Sequence, residues 1–281
     1  MHGYGIFPAM RIVDAHIHLW TGQTAPPHHS QVPLSVERAI AGMDQAGITA
    51  AINCPPLWDP QAIDYAAAAA ASYHDRVATL SWFAVENPAD MASVDALLSC
   101  PGTLGLRLLF ASPAAIEALL SDRLDWLWSF ANERDLPVAF GVAPAFLERV
   151  GSLAAKHPRL RVMVDHLAVS PFEKLPGAAA HFEMLLGLAQ HPNVAIKASA
   201  VPSMSTLDYP FADTRGHLRR FFDAFGASRM FWGTDITRMQ PSWRQCVQLF
   251  TEELPWLKGR DLELVMGEAI VQWVNWAGVR H

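Results

Sequence analysis

Short runs of branched and apolar residues alternate along the chain with longer stretches whose apolar positions recur every three or four residues. The first pattern fits strands, whose side chains alternate between two faces; the second fits helices packed on one side. Strands are predicted at 11–20, 49–54, 77–83, 104–110, 137–142, 160–167, 194–199 and 230–235. Helices are predicted at 34–44, 60–72, 91–99, 124–134, 145–156, 182–190, 215–225, 243–254 and 261–276. Ser35 reads as the cap of the first helix and Gly47 as its stop. Two long polar loops, 21–33 and 200–213, follow the first and seventh strands, where they are placed to cover a site.

Eight apolar strands separated by helices predict an α/β fold, a closed (β/α)8 TIM barrel, as one domain over residues 10–281. Residues 1–9 read as an N-terminal extension, because Met10 directly precedes the first strand. No GxGxxG follows that strand, which speaks against an open dinucleotide-binding sheet. Of the 281 residues, 51% are hydrophobic and 17% charged, enough to fill one large core. The 21 basic and 27 acidic residues leave a formal charge of -6, without a block of like charge or a basic aromatic stripe. Nucleic acid is therefore not an expected partner. The chain lacks a signal-peptide pattern and a run of about 18 apolar residues, so a cytoplasmic protein without a membrane partner is expected. Cys54, Cys100 and Cys246 are too scattered for a disulfide framework or a zinc ribbon. The expected partner is a small-molecule substrate, and assembly into a homo-oligomer is compatible with the sequence.

In a barrel of this kind the reactive groups sit at the carboxyl ends of the strands. His16 and His18 end the first strand, His166 the sixth and Asp235 the eighth, which pairs with the first on closure. Strict alternation places Asp14, His16 and His18 on one face, so Asp14 is a candidate to hold one of the imidazoles from below. Two same-facing histidines form a chelate for a transition metal if the fold supplies a further ligand. Taken alone, the pair fits a packed strand equally well. Arg107 and Lys197 lie on strands four and seven and Arg238 just beyond Asp235; all three are candidates to bind substrate. Asp165 is expected to face away from His166. His28 and His29 fall in the first long loop, and Trp20 and Trp58 lie just after strand ends, where an aromatic wall is possible.

The motifs Val13-Asp14-Ala15-His16-Ile17-His18-Leu19-Trp20, Val164-Asp165-His166-Leu167, Val194-Ala195-Ile196-Lys197-Ala198-Ser199 and Phe231-Trp232-Gly233-Thr234-Asp235 run in order across nearly the whole chain. In this the sequence resembles the amidohydrolase superfamily, in its amidohydrolase-related branch that includes pyrone-dicarboxylate and sugar lactonases. The resemblance implies a barrel of the metal-dependent-hydrolase type. It also implies that His16, His18 and Asp235 hold one divalent metal, zinc being the expected ion, or hold substrate and water directly in members that work without one. His166 would contact the metal or polarise the scissile carbonyl, and Asp235 would accept the proton of the attacking water. The expected activity is opening of a lactone or similar small carbonyl substrate. The alternatives are metal-dependent non-oxidative decarboxylation of an aromatic or muconate-like acid, and a barrel without catalysis. The fifth strand ends in Gly141-Val142, where many members place a lysine or histidine, which argues against a two-metal centre. Met266-Gly267-Glu268-Ala269 resembles a family segment that often carries asparagine at the position of Ala269.

Overall fold

A computed structural model describes residues 10–86 and 90–280, so the expected extension at 1–9 lies outside the described residues. Eight parallel strands form one sheet in the order of the chain. The strands are β1 (Val13–Ile17), β2 (Ala50–Asn53), β3 (Val77–Trp82), β4 (Thr103–Phe110), β5 (Pro137–Val142), β6 (Arg161–Val164), β7 (Val194–Ala198) and β8 (Met230–Trp232). The helices are α1 (Val36–Ala46), α2 (Ala62–Ser72), α3 (Met91–Leu98), α4 (Pro113–Leu120), α5 (Asp125–Glu133), α6 (Leu147–Lys156), α7 (Phe182–Gly187), α8 (Val201–Met204), α9 (Arg215–Phe225), α10 (Trp243–Thr251), α11 (Gly259–Glu263) and α12 (Ala269–Trp273). The predicted (β/α)8 barrel is therefore the observed fold.

Local chemistry sets many of the boundaries. Ser35 Oγ accepts from the Arg38 N–H at the start of α1, and Gly47, at φ 77°, ends that helix in the left-handed region open to glycine. Ser242 and Gln245 form a reciprocal capping box on α10. Two helices escape the periodicity: α8 lies inside the loop expected at 200–213, and α4 starts on Ser112, whose hydroxyl accepts from Ala115 N–H, with Pro113 in its first turn. The predicted helix at 261–276 is interrupted by a π turn at Leu264–Glu268. Within that turn a Cβ on Gly267 would lie 2.6 Å from the Arg11 carbonyl oxygen and 2.9 Å from the Val13 nitrogen. The turn packs its bare backbone against the start of β1.

Two apolar clusters hold the barrel. The inner one fills the bore with small residues, among them Ala15, Ala50, Ala78, Ala139 and Ala195, around Leu80, Met163 and Phe231. The outer one joins strands to helices through residues such as Ile17, Trp128, Phe140 and Trp232. β8 closes on β1 at the carboxyl end, where the Asp235 N–H donates to the His16 carbonyl at 2.8 Å. The approach is close enough to require Gly233, whose Cβ would stand 3.2 Å from the His16 nitrogen. Among the described residues no helix is long and apolar enough to cross a membrane.

Candidate active site

The first strand does not alternate strictly. Pairing with β2 runs Val13 to Ala50 and Asp14 to Ala51 but then Ile17 to Asn53, so β1 carries one extra residue. Such a bulge reverses the faces beyond it. Val13 and Ala15 point into the bore and Ile17 into the outer cluster. Asp14 faces outward to Trp243 of α10, while His16 turns inward to Asp165. The expectation that Asp14 shares the face of the histidines is thus corrected. Its carboxylate instead accepts from the His16 and Thr234 backbone N–H groups, the Thr234 hydroxyl and the Trp243 indole. Burial pushes its carboxyl up to about 6, against those hydrogen bonds. It pins the bulge of β1 to the end of β8.

A second departure lies at β6. The strand stops at Val164, and His166, Leu167 and Ala168 take φ of 52°, 55° and 56°. Three consecutive left-handed residues without glycine are strained, and they remove the alternation that would turn Asp165 away from His166. Asp165 accordingly lies inside the site, correcting the expectation that it faces elsewhere. Its carboxylate meets Arg107 Nε at 2.8 Å, Lys197 Nζ at 3.0 Å and His16 Nδ1 at 3.7 Å. Burial raises its pKa, but Lys197, His16 and Arg107 outweigh burial and hold the carboxyl well below its usual range. The role anticipated for Asp14, backing an imidazole, falls to Asp165.

The four predicted reactive groups converge. His16 Nε2 and His18 Nε2 stand 3.4 Å apart. Asp235 Oδ1 is 3.6 Å from His18 Nε2, and its Oδ2 is 3.7 Å from His166 Nε2. The outer nitrogens are engaged elsewhere: His18 Nδ1 with the Cys54 carbonyl, and His166 Nδ1 with Ser199 Oγ at 2.8 Å. A proton on His18 Nδ1 leaves its Nε2 lone pair toward the cluster. Burial lowers the pKa of His16, His18 and His166, so the imidazoles are held neutral. Asp235 is pushed up by burial but held lower overall by Arg238 and the surrounding histidines. Arg238 Nε lies 3.1 Å from its Oδ2.

These residues fit a divalent metal. His16, His18 and Asp235 form one group of donor atoms all within 4.8 Å of one another, and His16, Asp165 and His166 form a second that shares His16. Asp235 Oδ1 is a buried oxygen with no hydrogen-bond donor, and neutral imidazoles are the form in which histidine ligates.

The cluster forms the floor of a cavity of about 720 Å³ whose lining includes His18, Arg107, His166, Asp235 and Arg238. Arg107 and Arg238 thus reach the cavity. Lys197 does not: it is fully buried, paired with Asp165, and 4.0 Å from Cys54 Sγ. The 21–33 loop supplies His28 and His29, both in the lining, with His29 Nδ1 2.8 Å from Thr237 Oγ1 and 4.0 Å from Asp235 Oδ1. Burial takes the His29 imidazole down to about 3. Trp58 joins them, its ring 4.7 Å from that of His29, so the expected aromatic wall exists there. Trp20 is buried against Trp58 instead. Cys54 and Ser199 follow β2 and β7, and only the assembled barrel distinguishes them from ordinary polar residues.

An eight-stranded barrel with histidines and an aspartate at the carboxyl ends of β1, β6 and β8 defines a hydrolase-type barrel site. The chain matches the amidohydrolase family over residues 13–272, and it belongs to that family. L-fucono-1,5-lactonase of Burkholderia ambifaria is 26% identical over 236 residues, 79% of each chain. An amidohydrolase from Burkholderia multivorans, solved with bound zinc, superposes with a TM-score of 0.80 at 16% identity, covering 94% of this chain and 99% of that one. A 2-pyrone-4,6-dicarboxylic acid hydrolase-like protein of Pseudomonas putida gives a TM-score of 0.74 at 16% identity, covering 95% and 98%. The two structures share the fold. The protein is a hydrolase of the amidohydrolase family, acting on a small molecule.

Proposed function

We propose that the protein hydrolyses a lactone or a closely related small ester. The observation that carries this reading is the convergence of His16, His18, His166 and Asp235, with His18, His166 and Asp235 on the floor of one cavity and His16 buried against them; the lactonase relative supports it. His16, His18 and Asp235 would hold one divalent ion, zinc being the expected choice, and that ion would supply a lowered water pKa. Asp235 accepts a proton from the attacking water through its carboxylate, which Arg238 holds at Oδ2. The water oxygen bonds to the carbonyl carbon, the ring C–O bond breaks, and the same proton passes to the leaving oxygen to give a hydroxy acid. His166, held by Ser199, donates toward the carbonyl oxygen as charge develops there. Arg107 and Arg238 orient the substrate at the cavity wall. Lys197 acts indirectly, holding Asp165 and through it His16.

The test is a panel of lactones and carboxylic acids assayed for proton release and for carbon dioxide release, beside metal analysis of the purified protein. Ring opening that is lost in Asp235→Asn supports the reading. Carbon dioxide without ring opening would replace it with decarboxylation.

A further inference from the structure

We propose that the substrate's carbonyl ring carries an apolar substituent of several carbons, seated against the carboxyl ends of β4 and β5, rather than a ring of hydroxyls; this rests on the lactone reading. The cavity is two-sided. Around the histidines and Asp235 its lining mixes polar groups with Trp58, Ala168 and Val169, and a second space of about 410 Å³, which shares His28, Pro171 and Arg238 with it, includes Ser203, Asp208 and Gln240. On the opposite side the wall is Leu109, Phe110, Ile116, Val142 and Pro144. Arg107 is the exception there, and its Nε is bound to Asp165.

Gly141 shapes this wall. A Cβ at that position would stand 2.6 Å from Leu109 Cδ1, so a side chain there would push the Leu109 methyl group out of its present place. The rim repeats the theme. Leu57, in the lining, is 38% exposed, and Phe172, whose ring lies 5.3 Å from that of His28 at the mouth, is 77% exposed. Large apolar side chains left open at the wall and rim of a cavity are a seat for apolar ligand surface. A hydroxyl pressed against that wall would give up water and find no partner.

The direct experiment measures kcat/KM of the whole protein for δ-lactones bearing hydrogen, propyl, hexyl or phenyl, beside a sugar 1,5-lactone. The expected series rises about fourfold for each methylene that the wall covers, with the sugar lactone on the order of 100-fold below the best alkyl lactone. A flat series, or the sugar lactone as best substrate, overturns the inference. A binding measurement separates this from the reaction: calorimetry with straight-chain carboxylates from acetate to octanoate needs no turnover. Tighter binding with length, when no lactone is opened, keeps the apolar seat and removes the lactonase reading; length-independent binding removes the seat. Ile116→Asn should flatten the chain-length slope. An equal loss at every length would mark a general structural effect and count against the seat.

Discussion

β6, β7 and β8 run for only four, five and three residues, and each leads into a left-handed residue: His166 at φ 52°, Ala200 at 57° and Asp235 at 52°. β4 and β5 run for eight and six residues, and no residue at positive φ occurs in the turn after either, at 111–113 or 143–145. The first group, with the bulged β1, carries Asp165, His166, Asp235, His16 and His18. The second carries Leu109, Phe110 and Val142. Apart from Arg107, β4 and β5 line the cavity only with their last residues, Leu109 and Phe110 on one and Gly141 and Val142 on the other, because the cavity sits over the strand ends; the register shift of β4 lies at its other end, near Thr103 and Gly105. Bringing adjacent residues onto one point needs a bulge or a left-handed turn, each a local strain on the order of 1–3 kcal/mol for a non-glycine residue. Hydrogen bonds and ion pairs offset that strain: Asp14 ties β1 to β8, and Arg107 and Lys197 hold Asp165 at the end of β6.

This division is most exposed at Asp235. Asp235→Asn should lower kcat by about 10³-fold in proton-release assays; near-normal turnover would mean that the strained half does not perform the chemistry. His18→Ala removes a predicted ligand, so the metal content of the purified variant should fall by about tenfold or more relative to the parent. Equal metal content in the two would place the ion elsewhere.

Smaller effects sharpen the contrast in stability. Lys197→Met leaves Asp165 with Arg107 as its remaining cation, and urea denaturation should show a loss of about 3 kcal/mol. A neutral result would show that the ionic knot does not support the turn after β6. Gly233→Ala brings a Cβ to 3.2 Å of the His16 nitrogen and should lower stability by about 1–2 kcal/mol. On the apolar side, Leu109→Met preserves volume and should stay within about 1 kcal/mol. A larger loss there than at Gly233 would reverse the expected ranking of the two halves.

The strand and helix pattern was readable because burial of one face imposes a period, and that period survives in the order of residues. His16, His18, His166 and Asp235 were readable for a different reason: a barrel places strand ends together whatever the details of each strand. The errors fall where the backbone departs from its period. Extending β6 to residue 167 turns Asp165 away, and running β1 without a bulge puts Asp14 among the histidines. Lys197 could be placed on an inward face by pattern, yet only its 3.0 Å contact with Asp165 separates a buried partner from a substrate contact.

The sequence by itself determined the barrel, the ends of the strands that carry chemistry and the membership of the cluster, since these follow from periodicity and chain order. Tertiary structure decided which carboxylate backs His16 and which seals the barrel. It also decided which of the cations reach the cavity, and that Leu109 packs against the bare backbone of Gly141. Those assignments depend on backbone reversals of a single residue and on partners far apart in the chain, such as Asp14 with Thr234 and Lys197 with Asp165, which no local pattern encodes.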